Sequence, residues 1–135
     1  MTAKQPIQAY EDIPGTWVFD AERARKGYHL NEFLYSLMKA ENRKAFLANE
    51  GEYTLKFKMT PAQREAVLER NWNTLLELGG VSYALAKLAF TDGKSYQFMA
   101  SRMTGMTEKE YVEMMQKGGR SVDGWRSKSE RQGSR

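Results

Sequence analysis

The ten residues from Val81 to Phe90, VSYALAKLAF, leave this chain few ways to fold. Eight of the ten are apolar, with Ser82 and Lys87 the exceptions. The run falls well short of the ~20 apolar residues that a membrane-spanning helix needs. It is also too apolar for a helix that shows one face to water. It must therefore lie near the centre of a fold, with other elements laid over most of its sides. The rest of the chain supplies those elements at helical spacing. Leu30, Phe33, Leu34, Leu37 and Met38 recur at i, i+3, i+4, i+7 and i+8, one face of a helix, predicted to run through Ala48 and stop near Asn49 to Gly51. Thr60-Pro61-Ala62-Gln63 is a helix start with a cap, a proline at the first position and a capping-box partner. The stripe Leu68, Trp72, Leu75 and Leu76 follows, and Gly79-Gly80 closes that helix.

Around these helices the pattern is more broken. Pro6 and Pro14 disfavour helix before them, and Ile13-Pro14-Gly15 reads as a turn. Trp17, Val18 and Phe19 form a short apolar anchor that would tie an extended segment across a helical body. Asp20 is placed to cap a helix bearing Arg23 and Arg25, which Gly27 interrupts. In residues 52–58, Tyr53, Leu55 and Phe57 alternate with polar neighbours, a strand period without a partner strand. This predicts an extended connection or a distorted helix. Asp92-Gly93 makes a turn, and Tyr96 to Arg102 has room for a helical turn or two. Thr107, with Glu110 as its box partner, caps a last helix that Gly118-Gly119 ends. A tail with the stray aromatic Trp125 follows. The expected architecture is all-α, a single compact domain of about five helices. Its parts are an extended N-terminal arm at 1–19, a helical domain at 20–119 and a basic, flexible tail at 120–135.

The stretch from Thr91 to Met115 is distinctive within this frame. It holds Met99, Met103, Met106, Met114 and Met115, five of the eight Met residues. Met is flexible and polarisable, so such a run either fills an irregular core or covers a surface that accepts a partner.

Charge excludes some function classes. The net charge is +4, and residues 117–135 account for all of it through Lys117, Arg120, Arg126, Lys128, Arg131 and Arg135 against Asp123 and Glu130. Residues 1–116 balance fifteen basic against fifteen acidic side chains. A basic, Ser/Gly-rich end reads as a solvated tail, and no nucleic-acid-binding motif accompanies it. There is no Cys, so no disulfide and no thiolate metal site. The first residues lack the apolar stretch of a signal peptide, and the expectation is a cytoplasmic protein.

Catalytic equipment is sparse. His29 is the only histidine. It cannot by itself build a zinc site, nor the 2-His-1-carboxylate set of a non-haem iron centre. No serine lies in a G-x-S-x-G elbow. Glu108, Glu110 and Glu113 crowd the start of a helix, where they favour its dipole. The glycine pairs look like helix ends, not phosphate loops. The residues point to a helical subunit or accessory domain, with no catalytic residue and no metal ligand of its own.

Several blocks narrow this further. Lys26-Gly27-Tyr28-His29-Leu30-Asn31, leading into Ser36-Leu37-Met38-Lys39-Ala40-Glu41-Asn42-Arg43, closely resembles the KGYxLN…SLMKAENR block of the small (alpha) subunit of protocatechuate 4,5-dioxygenase. Asp12-Ile13-Pro14-Gly15-Thr16, Thr91-Asp92-Gly93-Lys94-Ser95 with Met103-Thr104-Gly105-Met106-Thr107, and Gly118-Gly119-Arg120-Ser121 agree with it, in the same order. The resemblance spans roughly residues 10–124.

It implies a mainly helical small subunit paired with a larger beta subunit, in an alpha2beta2 assembly. In that family the beta subunit holds Fe(II) and the catalytic base, and the pair opens a catechol ring with O2. The small subunit covers the mouth of the active site. The aromatic after Asp92-Gly93-Lys94-Ser95 lines the substrate pocket in the family and is typically Phe. Here it is Tyr96, whose added hydroxyl needs a partner if buried. Lys94, Ser95, Phe98, Met103 and Met106 are the expected contacts with the partner. The 51–57 segment, Gly51 to Phe57, departs from the family's usual helix. Two other readings stay open: a stand-alone helical binding or accessory protein of the same family, and the small subunit of an enzyme for another catechol such as gallate.

Overall fold

A computed structural model of the chain describes residues 8–15, 17–124 and 126–133. Pro6, Thr16 and Trp125 lie outside the described residues. The described residues form helices joined by turns and loops, without a strand, and fall into two units, 1–18 with 120–135 and 19–119.

The larger unit carries nine helices: α1 (Ala21–Lys26), α2 (Tyr28–Ser36), α3 (Ala40–Ala48), α4 (Glu50–Thr54), α5 (Pro61–Glu69), α6 (Trp72–Glu77), α7 (Ser82–Thr91), α8 (Tyr96–Thr104) and α9 (Glu108–Gln116). The all-α reading holds, but the helices are shorter and more numerous than the periodicity implies. Helix α7 is the apolar run, and it packs against α2, α6 and α8. Ala84, Leu85, Ala86, Leu88 and Ala89 are buried, while Tyr83 and Phe90 face outward. The run is central on one side only. Leu30, Phe33, Leu34 and Leu37 from α2 and the turn after it, Phe46 of α3, Tyr53 of α4, Val67 of α5, Trp72 and Leu75 of α6 and Met99 of α8 complete one core.

Two expected helices break, and of the two readings of residues 52–58 the helical one is formed. The helix expected from Leu30 through Ala48 breaks after Ser36. The amides of Leu37, Met38 and Lys39 tighten to i−3 carbonyls, and the side chains of Asn42 and Arg43 take the freed carbonyls of Ser36, Leu37 and Met38 at 2.8–2.9 Å. Side-chain capping outcompetes the next helical turn. Met38 is thereby turned out of the stripe and is 61% exposed. The helix expected from Thr60 to Leu78 breaks at Arg70, whose backbone is left-handed (φ 56, ψ 42), and Asn71 caps a new helix. The alternating segment 52–58 is no strand. Asn49 caps α4 through the amide of Glu52, Tyr53 and Thr54 are buried, and Leu55 is exposed.

The expected caps are present. Asp20 accepts from the amide of Arg23 at 2.9 Å, and Thr60 and Gln63 form the full capping box. Thr107 accepts from the amide of Glu110, although the Glu110 carboxylate takes the Thr107 hydroxyl and not the capping backbone N–H.

A buried polar knot joins α1, α2, α5 and the α6–α7 turn. Gly27 lies so close to Gly79 that a Cβ on Gly27 would stand 2.0 Å from the Gly79 carbonyl oxygen. Asn31 Nδ2 donates to that oxygen, and Asn31 Oδ1 accepts from the amide of Val81, both at 2.9 Å. Gln63, 2% exposed, donates from Nε2 to the carbonyls of Lys26 and Leu78. These contacts hold the entrance of α7 and so the register of everything after it.

The smaller unit has a 3-10 turn at Ala9–Asp12 and a short helix, α10 (Lys128–Gly133). Asp12 accepts from both the amide and the hydroxyl of Ser129 at 2.7 Å, and Lys128 Nζ stands 4.9 Å from the Trp17 ring centre. These hydrogen bonds hold the Asp12 carboxyl below its usual range.

Candidate functional site

The Asp92–Met106 segment is built as a turn and a helix with caps at both ends. Helix α7 ends at Asp92, and the amides of Gly93 and Lys94 fold back to the carbonyls of Phe90 and Ala89 at 2.9 Å. Gly93 has φ 75, a left-handed conformation that favours glycine. The chain then re-enters helix at once. Ser95 is the N-cap of α8, its Oγ accepting from the amide of Phe98 at 3.0 Å and donating to Glu108 Oε1 at 2.6 Å. One hydroxyl thus fastens the start of α8 to the start of α9. Tyr96 is the first residue of α8 and is 46% exposed.

The expected interface residues divide into two groups. Lys94 and Phe98 stand together on the outer side of α8. The Lys94 ammonium is 5.1 Å and the Arg102 guanidinium 4.9 Å from the Phe98 ring centre. At an exposed site each such contact contributes about 0.5–1 kcal/mol. Met103 faces the other way and packs against the core, and its carbonyl accepts from Asn73 Nδ2 at 3.1 Å. Met106 lines a shallow groove of about 400 Å³ with Glu110, Glu113, Met114 and Lys117. The Met run is divided between core and surface. Met99 is core, Met103 is its edge, and Met115 is exposed.

The segment rests on an ionic clamp that no local pattern indicates. Arg70 donates from Nε to Asp92 Oδ2 at 2.7 Å and from Nη2 to Asp92 Oδ1 at 3.0 Å, a bidentate pair. Nη2 also meets Glu50 Oε1, Nη1 donates to the carbonyl of Val67 at 2.8 Å, and the guanidinium lies 5.3 Å from the Phe46 ring centre. Burial opposes the charge, but the hydrogen bonds Arg70 donates to Asp92 and Glu50 outweigh it and hold Arg70 firmly protonated. A left-handed backbone at a non-glycine residue costs roughly 1–2 kcal/mol. Three sets of hydrogen bonds offset it here.

Among the described residues no three of His, Cys, Asp and Glu are grouped to hold a metal ion. His29 packs edge-on to Tyr28 with its Nδ1 3.9 Å from Glu32 Oε1, and Asp92 and Glu50 are both taken by Arg70. What the segment presents is the exposed phenol of Tyr96 at a capped helix start, with the Lys94 ammonium over the ring of Phe98.

Residues 30–116 match the family model described as the LigA subunit of the aromatic-ring-opening dioxygenase LigAB. The chain belongs to this family. The match runs from Leu30 within α2 to Gln116 at the end of α9 and includes the Asp92–Met106 segment with Arg70 and Glu50. Gallate dioxygenase of Pseudomonas putida is 26% identical over 102 residues, which cover 76% of this chain and 30% of that protein. The chain thus spans under a third of the length of that relative. The family's description is of one subunit of a ring-opening dioxygenase. Among the described residues no helix is long and apolar enough to cross a membrane.

Proposed function

We propose that this chain is the small, iron-free subunit of an extradiol dioxygenase that opens protocatechuate or a close relative. It covers the active site of a larger beta subunit that holds Fe(II), and it acts within an alpha2beta2 assembly in the cytoplasm. One observation carries the reading: the chain matches a subunit family of a ring-opening dioxygenase, yet among its described residues no three of His, Cys, Asp and Glu are grouped to hold a metal ion.

The small subunit's role follows from its chemistry. Iron bound in the partner would supply the activation of O2 and catechol. Tyr96 presents an aromatic ring to the substrate ring, and its hydroxyl reaches toward a carboxylate or a ring hydroxyl. Lys94, Ser95, Phe98, Met103 and Met106 lie along or beside the face that meets the partner, with Lys94 adding positive charge near an anionic substrate. A lid that excludes bulk water strengthens each of these interactions. Gallate is the other substrate to test, because the relative that covers most of this chain is a gallate dioxygenase.

The deciding experiment is ring opening of protocatechuate and gallate with Fe(II). It is run for this chain alone and after co-expression with a candidate extradiol-type beta subunit. Activity only in the co-expressed complex, with iron bound in the partner, is the expected result. Absence of both activity and co-purification would overturn the proposal and leave a stand-alone binding protein.

A further inference from the structure

We infer that Arg70 is the positioning residue of the Tyr96 site, acting through Asp92; the inference rests on the proposed role of Tyr96 against substrate. Arg70 and Asp92 are joined by two parallel hydrogen bonds at 2.7 and 3.0 Å. Asp92 is the last anchored point before the turn that delivers Ser95 and Tyr96. Between them the backbone is held by short-range bonds from Gly93 and Lys94 to the end of α7. Those bonds fix the turn's shape, whereas the Arg70 clamp fixes where the turn sits against the body of the fold.

The clamp's construction supports this role. A fold that needed only the charge pair could use lysine, but a planar fork reads both carboxylate oxygens and so sets orientation as well as distance. Arg70 also pins Glu50 on α4 and the Val67 carbonyl on α5, with Phe46 beneath it. Three helices thus act as the anvil for one turn. Its backbone takes a left-handed conformation, alone among the described non-glycine residues, which aims the side chain back across α5. A displacement of Asp92 would pass to Tyr96 with little loss, because α8 is capped by Ser95 and begins at Tyr96.

The test combines two measurements on Arg70→Lys. In the chain by itself, amide hydrogen exchange should quicken about tenfold at Lys94, Phe98 and Met99 while amides of the buried α2 and α7 core keep their wild-type rates. Uniform acceleration, or no change, would overturn the inference, since Arg70 would then be a general stabiliser or nothing. In the co-expressed complex, Arg70→Lys should raise KM for the ring-opened substrate about tenfold, with kcat less affected. It should have no further effect when Tyr96→Ala is already present. Effects that multiply in the double variant would place Arg70's action elsewhere and overturn the inference. Asp92→Asn, which keeps one strong acceptor, should reproduce a weaker form of both changes and serves if Arg70→Lys folds poorly. A wild-type complex without ring-opening activity would instead sink the functional reading. The exchange pattern would still decide whether Arg70 positions the turn.

Discussion

Replacing Gln63 with Leu tests whether the buried knot beneath α7 governs the stability of the helical unit. Gln63 is 2% exposed and close to Leu in volume, so packing changes little. Its hydrogen bonds change completely. Nε2 donates to the carbonyls of Lys26 at 2.9 Å and Leu78 at 3.0 Å, and Oε1 accepts from the amide of Thr60 at 3.0 Å. The two carbonyls lie at the ends of α1 and α6, where no helical amide follows to take them. Each buried carbonyl left without a donor costs about 1–3 kcal/mol. The loss of half the capping box adds up to ~1 kcal/mol, and the more apolar side chain returns a similar amount. The net expectation is a loss of about 3–4 kcal/mol, a large share of the roughly 5–15 kcal/mol available to a domain. Urea unfolding, followed by fluorescence of the buried Trp72, should show a lower midpoint with an unchanged slope. Gln63→Glu provides the sign check. Its carboxylate would face two carbonyls in a buried site, so its folded pKa rises above the unfolded value. Stability of that variant is therefore best below the unfolded pKa of about 4.3 and is lost as pH rises through the raised folded value. A Leu variant within 1 kcal/mol of wild type would refute the reasoning, because water or a shifted backbone would then be satisfying those carbonyls.

Other expected outcomes follow from single contacts. Gly27→Ala places a Cβ 2.0 Å from a backbone oxygen with no side chain free to yield, so the helices must part; thermal denaturation should report a loss of roughly 3 kcal/mol or more. Tyr96→Ala should lower turnover or raise KM in the complex while iron content, read by metal analysis, stays at the wild-type level. Tyr96→Phe isolates the hydroxyl; if that group meets a charged substrate, kcat/KM should fall by about 10- to 100-fold, the equivalent of a 1.5–3 kcal/mol hydrogen bond. Asp12, held below its usual range by Ser129, contributes an interaction present above the unfolded pKa and lost as pH falls through the lower folded one. Protection of the Ser129 amide against exchange, relative to the intrinsic rate at each pH, should therefore be present at neutral pH and lost in acid below the ordinary carboxyl value of 3.8, whereas Asp12→Asn should flatten that dependence.

The amino-acid sequence by itself determined what depends on near neighbours. Asp20, Thr60 and Thr107 cap helices because the amide each one satisfies lies three residues away. The apolar spacing of Leu30, Phe33, Leu34 and Leu37 puts them on one buried face for the same reason. Family membership was legible too, because the blocks around Lys26–Arg43 and Thr91–Thr107 stand in the sequence intact. Only the tertiary structure decided where periodic stretches break and what they rest on. Met38 continues the stripe on paper, yet Asn42 and Arg43 take the carbonyls that another turn would have used. Arg70 sits in a helical pattern, and its reason for leaving that helix is Asp92, 22 residues on, with Glu50 20 residues back. Gly27 reads as a helix interruption, but what requires a glycine there is the backbone of Gly79 across the fold. Periodicity records which side of a helix avoids water. It carries no trace of a distant carboxylate or carbonyl that competes for the same hydrogen bonds, so those choices are made only when the helices meet.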